Sequence, residues 1–98
     1  MAQKKFSIVF GPAAQKDIEA LETDEAIQLT RTISSHLEIN PFPLGKTRIK
    51  KMTGYDPALY RLRSGDFRAY YRIVPGTVVI LAVTNRKDSA KLLKTLKP

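Results

Sequence analysis

Hydrophobic and polar positions alternate with a period of two in three separate stretches of the chain, and with a helical period in two others. Phe6, Ile8 and Phe10 share one parity, which predicts a first strand ended by Gly11-Pro12. Ala14, Ile18 and Leu21 lie on one helical stripe, so a helix is expected from about Pro12 to Leu21, with proline tolerated at its first position. Thr23 or Asp24 is placed to cap a second helix running to about Ile39, whose Ala26, Leu29 or Thr30, Ile33 and Leu37 face a core. Asn40-Pro41-Phe42-Pro43 stops it.

Residues 44–57 read as a basic loop broken by Gly45 and Gly54. Two strand-like runs then meet at Ser64-Gly65-Asp66. In the second, Phe67, Ala69, Tyr71 and Ile73 alternate with Arg68, Tyr70 and Arg72; in the first, Tyr60 and Leu62 alternate with Leu59, Arg61 and Arg63. A hairpin here is apolar on one side and guanidinium-rich on the other. After a Pro75-Gly76 turn, Thr77 to Thr84 is a continuous, β-branched apolar run, the mark of a buried central strand. Ser89 to Leu96 fits a short basic helix with Leu92, Leu93 and Leu96 inward.

The order implies an α+β fold. An N-terminal strand and a helical hairpin pack on one face of a mostly antiparallel four-stranded sheet, with a short C-terminal helix after it. The other face of the sheet is expected to be free to bind. At 98 residues the chain is expected to form one domain spanning residues 1–98, with one modest core.

Charge sharpens this picture. The net charge is +8, and residues 1–45 carry 4 Lys/Arg against 6 Asp/Glu, while residues 46–98 carry 13 against 3. The basic excess lies wholly in the second half, which favours a nucleic acid or an acidic protein segment as partner. Cysteine is absent, which excludes disulfides, thiolate metal sites and cysteine nucleophiles. The single histidine, His36, shows no metal-ligand spacing and is expected to face solvent on the second helix. No phosphate-binding glycine loop is present. No metal and no small-molecule cofactor is expected. The apolar runs fall short of the roughly 20 residues of a membrane span, and the run after Lys5 is too short for a secretory signal, so a soluble cytoplasmic protein without membrane contact is expected.

What remains is arginine. Arg61, Arg63, Arg68 and Arg72 crowd one sheet face and Arg86 enters from the end of the last strand, while only Asp56, Asp66 and Asp88 are near in sequence to neutralise them. Guanidinium groups orient a phosphodiester by paired hydrogen bonds and stabilise charge that builds on phosphorus. RNA supplies its own nucleophile in the 2′-OH. These five arginines, with Lys46, Arg48, Lys50, Lys51, Tyr70 and Lys87, are the residues expected to contact RNA.

Across nearly its whole length the chain resembles the RelE/ParE superfamily of bacterial toxins. The resemblance rests on Tyr60-Arg61-Leu62-Arg63-Ser64-Gly65-Asp66-Phe67-Arg68, on Val83-Thr84-Asn85-Arg86-Lys87-Asp88, on the Asn40-Pro41 helix end and on the basic stretch from Lys46 to Lys51. The arginine-rich hairpin looks like the RelE branch. That branch implies a microbial RNase-like fold, a ribosome-dependent endoribonuclease cutting messenger RNA in contact with ribosomal RNA, and a cognate acidic antitoxin. By position, Arg61 matches a substrate-orienting residue, Arg68 the arginine that stabilises the transition state, and Arg86 the basic residue after the last strand; these three are the catalytic set that the resemblance implies. Two departures stand out. Leu59 occupies a place that is basic in some members, and the stretch from Ser89 to Leu93 lacks the tyrosine or histidine many members carry there. With that proton-transfer group missing, a slower enzyme is expected unless Lys87, Lys91, Tyr70 or the ribosome supplies it. A ParE-like inhibitor of DNA gyrase and a non-catalytic RNA- or ribosome-binding module are the competing readings.

Overall fold

A computed structural model describes residues 5–43 and 48–96. Its elements are β1 (Ser7–Phe10), α1 (Pro12–Glu19), α2 (Thr23–Leu37), β2 (Ile49–Lys51), β3 (Tyr60–Ser64), β4 (Phe67–Val74), β5 (Thr77–Asn85) and α3 (Ser89–Leu96). The strands form one sheet in the order β1-β5-β4-β3-β2. β1 runs parallel to β5 and every other neighbour is antiparallel. The class is the expected α+β, but the sheet has five strands rather than four. The extra one, β2, lies inside the stretch read as loop. It places a buried Ile49 opposite Leu62 and leaves Lys50 and Lys51 exposed. One apolar residue in three is too little to show a period of two. A short lysine-bearing strand also suits a sheet edge.

The helices cover one face of the sheet. Ala14, Leu29, Ile33 and Leu37 from α1 and α2 meet Tyr60, Leu62, Ala69, Tyr71, Val78, Ile80 and Val83. Both helices end about two residues earlier than their stripes suggest, and α2 is capped by Glu22 rather than by Thr23 or Asp24. The Glu22 N–H donates to Oε1 of Glu25 at 3.3 Å, and Glu25 thereby holds the first turn. His36 is exposed on α2, with Nδ1 2.9 Å from the Thr32 carbonyl.

Below the helices the sheet is closed by an aromatic series. Tyr60 and Tyr71 stack with centroids 5.6 Å apart, Phe42 meets Tyr60 edge-on at 6.2 Å, and Phe6 meets Phe42 at 6.3 Å. The Tyr71 hydroxyl donates to the Pro41 carbonyl at 2.7 Å, anchoring the segment that leaves α2. Burial first, and then Tyr60, raise the Tyr71 phenol well above the ordinary tyrosine range. The folded state therefore favours the neutral phenol. Its stabilisation is complete below the unfolded pKa of about 10 and is lost as pH climbs beyond it. Alkaline titration followed at 295 nm is expected to show Tyr71 ionising only as the domain unfolds.

β1 stops at Phe10, opposite Ile80, so the upper part of β5 has no strand on that side. α1 takes its place. The Gly11 N–H donates to the Ile80 carbonyl at 2.9 Å, and a Cβ on Gly11 would stand 3.2 Å from that oxygen. The Val83 N–H donates to Oδ2 of Asp17 at 2.9 Å. Asp17→Ala strands this amide, and a loss of about 1–3 kcal/mol is expected in chemical denaturation.

Candidate functional site

The face of the sheet away from α1 and α2 is built by the β3–β4 hairpin. Gly65 opens its two-residue loop at φ +57°, the left-handed conformation that suits glycine and matches the twist of the flanking strands. This loop sets a register in which Arg61 faces Tyr70 and Arg63 faces Arg68. Arg68 in turn faces Thr84 of β5. Side chains opposite one another in a ladder share a face, so Arg61, Arg63, Arg68, Tyr70 and Arg72 all lie on this side.

The tip is braced from three directions. One terminal nitrogen of Arg68 donates to the Gly65 and Phe67 carbonyls, both at 2.9 Å. The Arg86 N–H donates to the Asp66 carbonyl at 2.7 Å, tying the exit of β5 to the hairpin loop. Asp88 closes the following turn: its Oδ2 accepts from Asn85 at 3.0 Å and its N–H donates to Asn85 Oδ1 at 2.9 Å. Arg86 and Lys87 are exposed there. They border a groove of about 730 Å³ that is also lined by Leu21, Glu25, Asp66, Phe67 and Asn85.

Electrostatics shows which arginines converge. Burial, and after it the charges of Arg61, Arg63 and Arg86, push the Arg68 guanidinium below the ordinary arginine range, and Tyr70 opposes them. Among the described residues no carboxylate is one of the groups acting on it. Asp88, one of the three carboxylates near in sequence, accepts a hydrogen bond from Asn85. Arg61, Arg63, Arg68 and Arg86 thus form one cationic cluster at the tip. Lys50 lies opposite Arg61 and extends the cluster toward the edge, whereas Lys51 is paired with Tyr60 one position on. Arg48 is exposed, and its carbonyl accepts the Arg63 N–H at 2.9 Å. Arg72 lies lower on β4, opposite Val79, and is not among the charges acting on Arg68. Its Nε and that of Arg61 are buried without a hydrogen-bond partner. Lys46 lies outside the described residues.

This face is not open throughout, contrary to the expectation from sequence. α3 lies against it: Tyr70 is bonded to the first residue of that helix, and Leu59, Tyr70 and Ala82 on this face are all buried outside the main core. The Tyr70 hydroxyl is hydrogen-bonded to that of Ser89, and the Tyr55 hydroxyl donates to the Leu93 carbonyl at 3.1 Å. Leu92, Leu93 and Leu96 point inward only far enough to be half-buried. Leu59, which departs from the basic residue of some relatives, is fully buried. The amphipathic helix was legible from its leucines. The roles of Tyr55 and Ser89 were not, since neither residue has a pattern that announces a distant hydroxyl partner. Among the described residues no three His, Cys, Asp or Glu side chains gather as a metal site, and no helix is long and apolar enough to cross a membrane.

Residues 8–90 match the family model described as ParE toxin of type II toxin–antitoxin system, parDE. Among solved structures, the chain is similar to the archaeal RelE–RelB complex from Pyrococcus horikoshii, with a TM-score of 0.67 and 24% identity over 83% of this chain and 94% of that one. It is also similar to the toxin–antitoxin complex RelBE2 from Mycobacterium tuberculosis, at 0.66 and 26% over 84% and 99%. A mutant of the E. coli toxin RelE in the free state matches at 0.62 and 18% over 94% and 93%. No curated protein matches the chain by sequence.

Proposed function

The chain belongs to the ParE toxin family of type II toxin–antitoxin systems, and we propose that it acts as a ribosome-dependent endoribonuclease that cuts messenger RNA without a metal. The observation that carries this reading is the cluster of Arg61, Arg63, Arg68 and Arg86, in which Arg68 feels three like charges and, among the described residues, no carboxylate. Gathering like charges costs free energy in the free protein, and a phosphodiester repays it.

RNA brings its own nucleophile, so the protein has to align and to stabilise charge. The 2′-oxygen attacks the adjacent phosphorus and the 5′-oxygen leaves. Arg61 orients the phosphate by paired hydrogen bonds. Arg68, fixed by the loop carbonyls, donates to the oxygens that gain charge at five-coordinate phosphorus. Arg86 closes the site from the end of β5. Arg63, Lys50 and Arg48 continue the positive track along the edge, where flanking phosphates run. Arg72 and Lys87 extend it to either side, and Lys51 and Lys46 belong to the same basic stretch. The Pyrococcus and Mycobacterium structures are complexes of toxin with antitoxin, which supports a cognate antitoxin as partner here. An acidic segment that orders on contact suits the charge of residues 46–98.

The experiment is to map RNA ends on translating ribosomes after induction. New 5′ ends inside translated codons are the expected result, and an unchanged map with the protein present excludes the reading. The ParE label of the family model favours a second one, inhibition of DNA gyrase. A supercoiling assay with purified gyrase separates the two, because the ribonuclease leaves supercoiling unchanged.

A further inference from the structure

Tyr70 carries a phenol hydroxyl into the middle of the arginine face. Arg61 faces it across the ladder, and Arg68 and Arg72 flank it on the same side of β4. Its ring is fully buried, and it acts on the Arg68 guanidinium in the sense opposite to the neighbouring arginines. A buried tyrosine needs a partner for its hydroxyl. Tyr71 finds a backbone carbonyl in the chain leaving α2. Tyr70 finds the hydroxyl of Ser89, the first residue of α3. That helix has no fully buried residue of its own, and its far half is held by the hydroxyl of Tyr55.

We propose that the Tyr70 hydroxyl donates the proton to the leaving 5′-oxygen, and that Ser89 holds in the free protein the place this oxygen takes in the complex. The proposal rests on the ribonuclease reading. In the step, a bond forms between the 2′-oxygen and phosphorus while the bond from phosphorus to the 5′-oxygen breaks. The 5′-oxygen takes the Tyr70 proton. The 2′-hydroxyl proton passes to water, and solvent reprotonates Tyr70. The products are a 2′,3′-cyclic phosphate and a 5′-hydroxyl end. Both hydroxyls of the Tyr70–Ser89 pair can donate or accept, so an RNA oxygen replaces Ser89 without leaving Tyr70 unpartnered.

The test uses the full chain on programmed ribosomes with two messages. One is ordinary RNA. The other carries a single bridging sulfur in place of the 5′-oxygen at the mapped cut. A thiolate leaves without a proton, so it bypasses a missing acid. Tyr70→Phe keeps the buried ring and is expected to cut ordinary RNA about 10²-fold or more slowly. On the sulfur message it cuts at the wild-type rate, whereas Arg68→Ala is slow on both. Ser89→Ala cuts ordinary RNA faster than the wild type. Equal slowing of Tyr70→Phe on both messages, or none on either, overturns the proposal, and slowing by Ser89→Ala overturns the part given to Ser89. A fluorotyrosine at position 70 provides a second measurement should the phenylalanine variant unfold. It keeps a hydroxyl of altered acid strength, so it is expected to change the rate on ordinary RNA and not on the sulfur message, and an equal change on both, or none on either, overturns the assignment. A wild type that cuts neither message removes the ribonuclease reading itself.

Discussion

Arg68→Ala is expected to lower the rate of messenger cleavage by about 10²–10³-fold, the usual effect of removing one donor aimed at charge that develops in a transition state. The same substitution is expected to leave the melting temperature unchanged or to raise it. The reason lies in the charges around the residue. Burial, Arg61, Arg63 and Arg86 all work against the Arg68 guanidinium in the free protein. Its own hydrogen bonds go to two carbonyls of the exposed hairpin tip, which water can solvate when the side chain is gone. Removing it relieves repulsion without opening the core. A residue held at the expense of stability is the pattern of a site selected for function. Cleavage kinetics and thermal denaturation of the same preparation check both halves. A large drop in melting temperature with intact cleavage places Arg68 in the scaffold instead. Arg68→Lys keeps the charge but not the planar fork, and should recover binding to ribosomes more than cleavage.

Tyr71→Ala is expected to have the largest effect on the fold. Its ring is fully buried, stacked on Tyr60, and its hydroxyl anchors Pro41. Truncating a buried aromatic costs about 3–5 kcal/mol, against a total stability of about 5–15 kcal/mol for domains of ordinary size. Tyr71→Phe keeps the stack and strands only the Pro41 carbonyl, so about 1–3 kcal/mol is expected. Urea denaturation of the two variants separates packing from hydrogen bonding. Comparable losses for both would mean that the tie to Pro41, rather than the aromatic stack, holds this end of the sheet.

The parity of Arg61, Arg63, Arg68 and Arg72 could be read from the chain because a strand's period is local. So could the helical stripes and the apolar run that became β5. β2 could not, since its only apolar residue, Ile49, is defined as core by Leu62 across the ladder. Nor could the break in register between Tyr70 and Tyr71, where Ala82 and Ile80 are their partners and Leu81 is left over. Tyr70 itself shows the limit most clearly. Alternation assigns it to the arginine face, and it lies there. Its burial comes from α3, whose docking depends on hydroxyls of Tyr55, Tyr70 and Ser89 that no periodicity brings together. The cap of α2 was misplaced for a similar reason. Glu22 is a less familiar cap than Thr23, and only the return bond from Glu25 identifies it.

Ser7 pairs with Thr77 in the parallel ladder, so β1 waits for a strand that is synthesised long after it. The helical hairpin emerges before the strands that will bury its apolar stripe, and a strand partner so distant in the chain is slow to find. Arg86 follows the final strand. Until β5 has paired, the four arginines of the cluster stay scattered along the chain, so the charged face is assembled late and all at once.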